Sequence, residues 1–254
     1  EIAESEGLDR SNLRLAQNQV DLLQAVAAVN PKIVVVLYSG SVVETPWLDN
    51  CHALLYAALG GQAGAGAVAD ALTGKVNPCG KLAETWPLTY ADVPSAADFA
   101  TRRKTVEYRE GLYVGYRYYT TFDKAVSYPF GFGLSYTSFG YTSPAIASNT
   151  LAEGAAGSLV LTATITNTGT VAGKEAAQVY VTAPEVKLQK PTIELKAFAK
   201  TKQLAPGAAE QLSFTIPASI LASFDEASNQ WIVEPGSYSA YISPSSDVSA
   251  TTPV

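Results

Sequence analysis

The 254-residue sequence predicts an α/β part with a mostly parallel sheet and flanking helices, followed by an all-β sandwich. Two observations predict this order. A continuous apolar run rich in β-branched residues lies between segments with helical spacing in the first half, as in parallel sheets covered by helices. From about Tyr141 the pattern changes to short alternating runs separated by turn sequences, which is typical of antiparallel sheets.

The α/β part begins with a predicted helix. Ser11 or Asn12 is a competent N-cap, apolar residues follow at helical spacing, and Asn30-Pro31 ends the pattern. The run Ile33–Tyr38 has no polar alternation, so it is predicted as a parallel strand covered on both faces. Two further helices are predicted, at Ala53–Leu59 and Ala63–Leu72.

Glycines separate these last two helices, in Gly60-Gly61-Gln62-Ala63-Gly64. The segment lacks the Lys and Ser/Thr of a P-loop and the full spacing of a dinucleotide fingerprint. Small residues also let a helix approach a sheet closely. A packing role is therefore favoured over phosphate binding.

A long loop with Pro87 and Pro94 is predicted up to Lys104, followed by a segment with five tyrosines, Tyr108–Tyr119. Loops of this length in compact domains are often functional. The tyrosines allow two interpretations: they could line a sugar site by stacking and hydroxyl hydrogen bonds, or form a strand and turn that pack at a domain junction.

The β part consists of alternating runs separated by Asn-Thr-Gly, Ala-Pro-Gly and Glu-Pro-Gly turns. Its size and pattern suit an immunoglobulin- or fibronectin type III-like β-sandwich. Nothing in the alternation suggests a catalytic group of its own. Strands are predicted at Ser158–Asn167, Ala176–Val181, Gln211–Ile216 and Gly236–Ile242.

Composition excludes several function classes. The net charge of −6 argues against a nucleic-acid partner, and the basic run Arg102-Arg103-Lys104 is explained as a solvated loop. No apolar stretch is long enough to span a membrane. Cys51 and Cys79 lack metal-ligand spacing with the single His52, so they are predicted to be free thiols, and neither metal nor organic cofactor is expected.

The strongest catalytic candidate is Glu6, a carboxylate beside Gly7 and ahead of the first helix. Glu4 is the competing carboxylate, and an electrostatic role near the helix N-terminus, shared with Asp9, is the alternative. Asp9 and Arg10 are expected to form an ion pair that shapes the loop. A catalytic group this close to the first residue, in a chain without methionine, suggests a longer precursor.

Several motifs together resemble the C-terminal part of glycoside hydrolase family 3, the β-glucosidase and β-xylosidase family. The resemblance extends over nearly the whole chain, with Cys79 and Ala83 as small departures from the family pattern. The motifs are Glu6-Gly7-Leu8-Asp9-Arg10, Gly74–Leu82, Tyr108–Gly111 with Val114–Tyr119, Tyr128–Thr137, Asn167-Thr168-Gly169, Gly173-Lys174-Glu175, Gln178-Val179-Tyr180 and Glu194-Leu195-Lys196.

This resemblance implies residues 1–123 as the later part of an α/β sandwich, 124–140 as a connecting segment and 141–254 as a fibronectin type III-like domain. It also implies that Glu6 is the general acid/base of a retaining exo-β-glycosidase. Such enzymes need two carboxyl groups, and the nucleophile would lie in an N-terminal barrel that this chain does not contain.

The implied substrate is a β-glucoside or oligosaccharide, with β-xylosidase specificity as the alternative. The implied partner is the barrel portion of the same enzyme, and a homodimer is possible. A non-catalytic carbohydrate-binding or scaffold module is the other hypothesis. The sequence leaves localisation open among cytoplasm, periplasm and secretion.

Overall fold

The computed structural model describes residues 7, 10–99, 104–151 and 156–254. Three helices and twelve strands lie in this part of the chain. The helices are α1 (Gln17–Ala27), α2 (Gly64–Leu72) and α3 (Tyr116–Thr121). The strands are β1 (Val34–Leu37), β2 (Ala53–Tyr56), β3 (Trp86–Pro87), β4 (Val126–Tyr128), β5 (Phe139–Asn149), β6 (Ser158–Asn167), β7 (Ala176–Thr182), β8 (Glu194–Lys200), β9 (Ala209–Pro217), β10 (Ser223–Asp225), β11 (Gln230–Ile232) and β12 (Ser239–Ser243).

The chain divides into two compact units. The first contains Glu1–Val76, Trp86–Glu110 and Ala125–Tyr128, and the second contains Asn77–Thr85, Gly111–Lys124 and Pro129–Val254. The second unit thus includes two segments that precede the β-rich half in sequence. None of the described helices is long and apolar enough to cross a membrane.

The first unit is built on the parallel pair β1–β2, with a separate antiparallel pair β3–β4. The predicted strand at Ile33–Tyr38 is confirmed as β1, but the described residues do not cover it on both faces. Leu37 is 5% exposed, whereas Val34 is 50% exposed and α1 has no buried residue.

The helix predicted at Ala53–Leu59 is wrong, because Ala53–Tyr56 is strand β2. Its four residues pair in register with the four of β1, from Val34↔Ala53 to Leu37↔Tyr56. Alanine and leucine are good helix formers, but intrinsic propensity is small compared with tertiary contacts, and pairing with a neighbouring strand overrides it. The helix predicted at Ala63–Leu72 is confirmed as α2.

The first helix begins later than predicted, at Gln17, and neither Ser11 nor Asn12 caps it. The Asn12 Oδ1 accepts a hydrogen bond from the Arg14 N–H, and the Leu13 carbonyl accepts one from the Glu44 N–H at 2.7 Å. The Leu13 carbonyl therefore accepts from Glu44 instead of from the N–H four residues further along the chain, as it would in a helix. The helix therefore begins at Gln17, beyond the segment that bonds to the loop following β1.

The second unit is a β-sandwich, which confirms the all-β prediction for this half. One sheet has the order β5-β6-β9 and the other β12-β7-β8, and all their pairings are antiparallel. Inward side chains from both sheets form one core, including Leu161, Ile165, Val179, Phe214 and Ile242. In β6 buried and half-buried positions alternate strictly, as the period of two predicts.

A carboxylate closes the hairpin formed by β10 and β11. Asp225 is 3% exposed and accepts hydrogen bonds from the Lys187 ammonium, from the Ser228 hydroxyl at 2.6 Å and from the Ala227 N–H at 3.1 Å. These bonds, that from Lys187 foremost, lower the pKa of Asp225 from 3.8 to about 2.

Because the pKa of Asp225 is lower in the folded state, its contribution to stability is present above about pH 4 and is lost as the pH falls toward 2. We expect Asp225→Asn to lower the thermal midpoint of the second unit at pH 7. The difference in thermal midpoint between the variant and the wild type should become smaller as the pH falls from about 4 to about 2. Calorimetry across this range checks the expectation, and a difference that stays constant would contradict it.

Candidate active-site region

The loop that follows β1, residues 38–47, contains buried polar groups with several hydrogen bonds each, and we call it the β1 loop. In open α/β sheets ligands bind outside the carboxyl ends of parallel strands, where this loop lies. Its Ser39 and Glu44 are polar yet only 6% and 5% exposed. Buried polar groups of this kind need partners, and those of Glu44 come from two other segments.

Glu44 bonds to both of these segments. Its Oε2 accepts a hydrogen bond from the Arg14 Nε at 3.1 Å, and its Oε1 accepts one from the Tyr90 N–H at 2.8 Å. Its own N–H donates to the Leu13 carbonyl, and its carbonyl accepts from the Trp47 indole N–H at 3.1 Å. One residue therefore joins residues 10–14, which we call the anchor segment, to the β1 loop and to Tyr90.

Arg10 holds the other end of the anchor segment. Its guanidinium donates to the Ser41 hydroxyl oxygen and, at 3.1 Å, to the Val42 carbonyl oxygen. Val42 and Val43 are 7% and 3% exposed, so this part of the β1 loop belongs to the packed interior. The anchor segment is thus fixed to the β1 loop at both ends.

The predicted catalytic residue Glu6 lies outside the described residues, as do its competitor Glu4 and the predicted ion-pair partner Asp9. Its neighbour Gly7 is described and has a φ of +81°. A Cβ atom at Gly7 would meet nothing within 4 Å, so the backbone conformation, not crowding, is what favours glycine there.

A cluster of three aromatic rings includes Tyr56, the last residue of β2. Trp86 is 1% exposed and makes edge-to-face contacts with Tyr56 and Tyr128, with ring centroids 5.1 and 5.8 Å apart. The Tyr56 hydroxyl donates to the Ser39 carbonyl at 3.2 Å. The Trp86 indole N–H is buried and has no hydrogen-bond partner among the described residues.

The tyrosine-rich segment contains turns at residues 109–112 and its last part forms the short helix α3, so the predicted strand is absent from it whereas a turn is present. The Tyr116 ring packs against Phe130 and Tyr180 in the second unit, and its hydroxyl accepts the Leu195 N–H at 2.7 Å. Burial raises the pKa of Tyr116. The buried position of Tyr116 is explained by its ring contacts and by its hydrogen bond to an N–H group of the edge strand β8. Tyr108, in contrast, is 90% exposed.

The cysteines and the glycine segment that the sequence offered as candidate sites do not form a functional site with other described residues. Cys51 and Cys79 are free and half-buried. A Cβ atom at Gly60 would lie 2.9 Å from the Gly64 Cα, so close backbone approach to the start of α2 accounts for that glycine. Among the residues that the structure describes, no group of three His, Cys, Asp or Glu side chains is placed to hold a metal ion.

Sequence reasoning missed Glu44 and Trp86. The available signal for Glu44 was its position six or seven residues after the end of a predicted parallel strand, at the edge of the sheet where ligands bind. Its partners could not be predicted from local pattern, because Arg14 and Tyr90 lie 30 and 46 residues away in sequence. Trp86 had no distinguishing signal beyond its type.

Comparison with known proteins identifies two domain families along the chain. Residues 1–136 match the model of the glycosyl hydrolase family 3 C-terminal domain, and residues 175–246 match that of the fibronectin type III-like domain. The first match covers more than half of the 254 residues and includes the run Glu6–Arg10.

Individual relatives agree with these matches. Thermostable β-glucosidase B of Acetivibrio thermocellus is 42% identical over 96% of this chain and 32% of its own length. An exo-α-(1→6)-L-arabinopyranosidase of Bifidobacterium longum is 41% identical over 100% of this chain and 33% of its own length. The crystal structure of a Bifidobacterium adolescentis GH3 β-glucosidase has a TM-score of 0.92 and 44% identity, covering 99% of this chain and 37% of that one. The chain therefore spans about a third of the length of these relatives.

Proposed function

This chain belongs to glycoside hydrolase family 3, and on that premise we propose that it is the C-terminal portion of a retaining exo-β-glycosidase. The proposed substrate is a β-glucoside or oligosaccharide with a terminal non-reducing β-D-glucosyl residue. The observation that carries the proposal is the family match over residues 1–136, together with identities of 41–42% to relatives named for glycosidase activities.

In the proposed mechanism Glu6 is the general acid/base. Its carboxylic acid protonates the leaving-group oxygen while a carboxylate nucleophile, supplied by an N-terminal barrel portion, attacks the anomeric carbon. The Glu6 carboxylate then removes a proton from the water that hydrolyses the glycosyl-enzyme. The two carboxyl groups must stand about 5–5.5 Å apart, so activity requires both portions of the enzyme.

The anchor segment supports this assignment. Arg10 is four residues after Glu6, and four residues reach at most about 14 Å even when fully extended. Arg10 is bonded to the β1 loop, at the sheet edge where ligands bind in α/β folds. Gly7 gives the intervening backbone access to a left-handed conformation.

Substrate specificity is tested on the complete enzyme with 4-nitrophenyl β-D-glucoside, β-D-xyloside and α-L-arabinopyranoside. These glycosides share the absolute configuration at the anomeric carbon, so one pair of carboxyl groups can serve all three. We expect the highest kcat/KM on the glucoside. A higher value on the xyloside, or on the arabinopyranoside that is suggested by the Bifidobacterium longum relative, would contradict the proposed glucosidase specificity.

A non-catalytic carbohydrate-binding role is the second candidate function. The observation that favours it is an exposed aromatic pair on the β10–β11 hairpin, where Trp231 and Phe224 are 69% and 43% exposed with ring centroids 5.5 Å apart. Exposed aromatic faces offer stacking surfaces for apolar ligand faces. A complete protein that hydrolyses none of the three glycosides would favour this role over catalysis.

A further inference from the structure

We infer that Glu44 is a positioning residue for Glu6: it holds the anchor segment, which begins four residues after Glu6, and this inference rests on the proposed function. The exposure of Glu44 differs from that of its partner. The side chain is 6% exposed, yet its partner Arg14 is 73% exposed. A carboxylate is thus buried in order to bond a residue that is itself mostly in solvent.

Stability alone does not account for this arrangement. Burying a carboxylate costs several kcal/mol, and replacing a buried ion pair by apolar residues is often neutral or stabilising. Glu44 instead gives each carboxylate oxygen a separate partner, Arg14 on Oε2 and the Tyr90 N–H on Oε1. Two bonds from one rigid group to two different segments fix the position of one segment relative to the other.

The Tyr90 side of this connection is itself rigid. Tyr90 begins a short 3₁₀ turn, Tyr90–Asp92, in which Thr89 and Asp92 form a capping box with bonds of 2.8–3.1 Å. The β1 loop is equally well fixed, because the Trp47 side chain is 2% exposed and donates to the Glu44 carbonyl. Glu44 therefore holds the anchor segment against two ordered elements.

The anchor segment transmits this restraint toward Glu6. Its Leu13 and Arg14 bond to Glu44, and its Arg10 bonds to Ser41 and Val42. Arg10 is the first residue of the anchor segment and lies four positions after Glu6 in sequence. A change at Glu44 that frees Arg14 therefore loosens the anchor segment without altering any group that reacts.

A less firmly held anchor segment should slow the steps in which Glu6 transfers a proton and leave a step without proton transfer unchanged. A general acid must lie within hydrogen-bond distance of the leaving oxygen, and a displacement of about 1 Å can cost about 100-fold in rate. Aglycones that leave without protonation are insensitive to that displacement. The nucleophile belongs to a different portion of the enzyme, so attack on the anomeric carbon should be unaffected.

The test compares cellobiose with 2,4-dinitrophenyl β-D-glucoside in the complete enzyme. In Glu44→Gln the amide oxygen can still accept the Tyr90 N–H, but the carboxylate acceptor for Arg14 is lost. We expect kcat on cellobiose to fall by about 10-fold to 100-fold with little change in KM. The burst-phase rate constant for release of dinitrophenolate, which precedes the step that needs a general base, should change less than about 3-fold.

Two further variants keep the test decisive. Ser41→Ala removes the hydroxyl that accepts from Arg10 and should give the same selective loss if Glu44→Gln does not fold. Asp225→Asn is the matched control, because it removes a buried carboxylate bonded to a lysine in the second unit and should slow neither substrate selectively. Equal losses on both substrates, or no loss, in Glu44→Gln and Ser41→Ala would overturn the inference.

The same assay separates this inference from the proposed function. If Glu6→Gln discriminates between the two substrates and the Glu44 and Ser41 variants do not, only the positioning role is wrong. If Glu6→Gln does not discriminate, the acid/base assignment itself fails and the positioning role fails with it.

Discussion

Replacing Glu6 by glutamine in the complete enzyme should lower kcat/KM on cellobiose by about 100-fold to 10,000-fold, the range that general acid–base catalysis contributes. Glutamine keeps the size of the side chain but cannot donate the proton that the glucose leaving group needs. Because 2,4-dinitrophenolate leaves without protonation, its release in the first step should be nearly unchanged. Steady-state and burst kinetics on the two substrates measure this difference.

Glu4→Gln is the matched control for this prediction, because the competing carboxylate lies two residues away in the same run. We expect it to keep wild-type rates on both substrates. Selective loss in Glu4→Gln with none in Glu6→Gln would move the assignment to Glu4. Wild-type rates in both variants would show that neither residue protonates the leaving group.

Replacing Glu234 by alanine should destabilise the second unit by about 3–5 kcal/mol, the cost of removing one partner of a buried ion pair. Glu234 and Lys190 have side chains only 3% and 2% exposed, and the ammonium donates to the Glu234 Oε2. The Glu234 Oε1 also accepts the Lys187 and Leu188 N–H groups at 2.5 and 3.2 Å. The variant leaves a buried charge and two backbone donors without this acceptor.

Native-state hydrogen exchange at the amides of β7 and β12 measures this loss, since core strands report the free energy of unfolding. The double variant Lys190→Met/Glu234→Leu is the control, because it removes both charges and should recover much of the stability. A loss below about 1 kcal/mol in Glu234→Ala would mean that water or another group replaces the carboxylate.

The pH dependence of this pair has a defined sign. Burial opposes ionisation of Glu234, but the hydrogen bonds from Lys190, Lys187 and Leu188 outweigh it, so the pKa of this carboxyl is lowered from 4.5. The stabilisation is therefore complete above the unfolded-state pKa and is lost as the pH falls through the folded-state value. The contributions of Glu234 and Asp225 to the stability of the second unit therefore both decrease at low pH.

The β-sandwich could be predicted from the sequence because its information is local. Alternation along β6 and β9 directly reflects one buried and one less buried face, whereas the five central residues of β7 are all buried. The predicted runs for these three strands differ from the observed strands by at most two residues at each end. Strand β12 begins three residues later than predicted, at Ser239.

The α/β part was less predictable because its structure depends on distant partners. Ala53–Tyr56 is a strand because it pairs with β1, and nothing in its own four residues, Ala-Leu-Leu-Tyr, indicates this pairing. Residues 11–16 are not helical because Leu13 bonds to Glu44, 31 positions away. The same long-range contacts build the candidate site, so Glu6 could be predicted from a local motif whereas Glu44 could not.

The most direct test of the acid/base assignment is azide rescue of Glu6→Ala in the complete enzyme, with 2,4-dinitrophenyl β-D-glucoside as substrate. Without the base, water attacks the glycosyl-enzyme slowly, and azide can attack the anomeric carbon without losing a proton while the enzyme carboxylate departs. We predict faster turnover with added azide and β-glucosyl azide as the product, identified by its proton NMR spectrum. A rate unchanged by azide, with glucose as the only sugar product, would contradict the assignment of Glu6 as the acid/base.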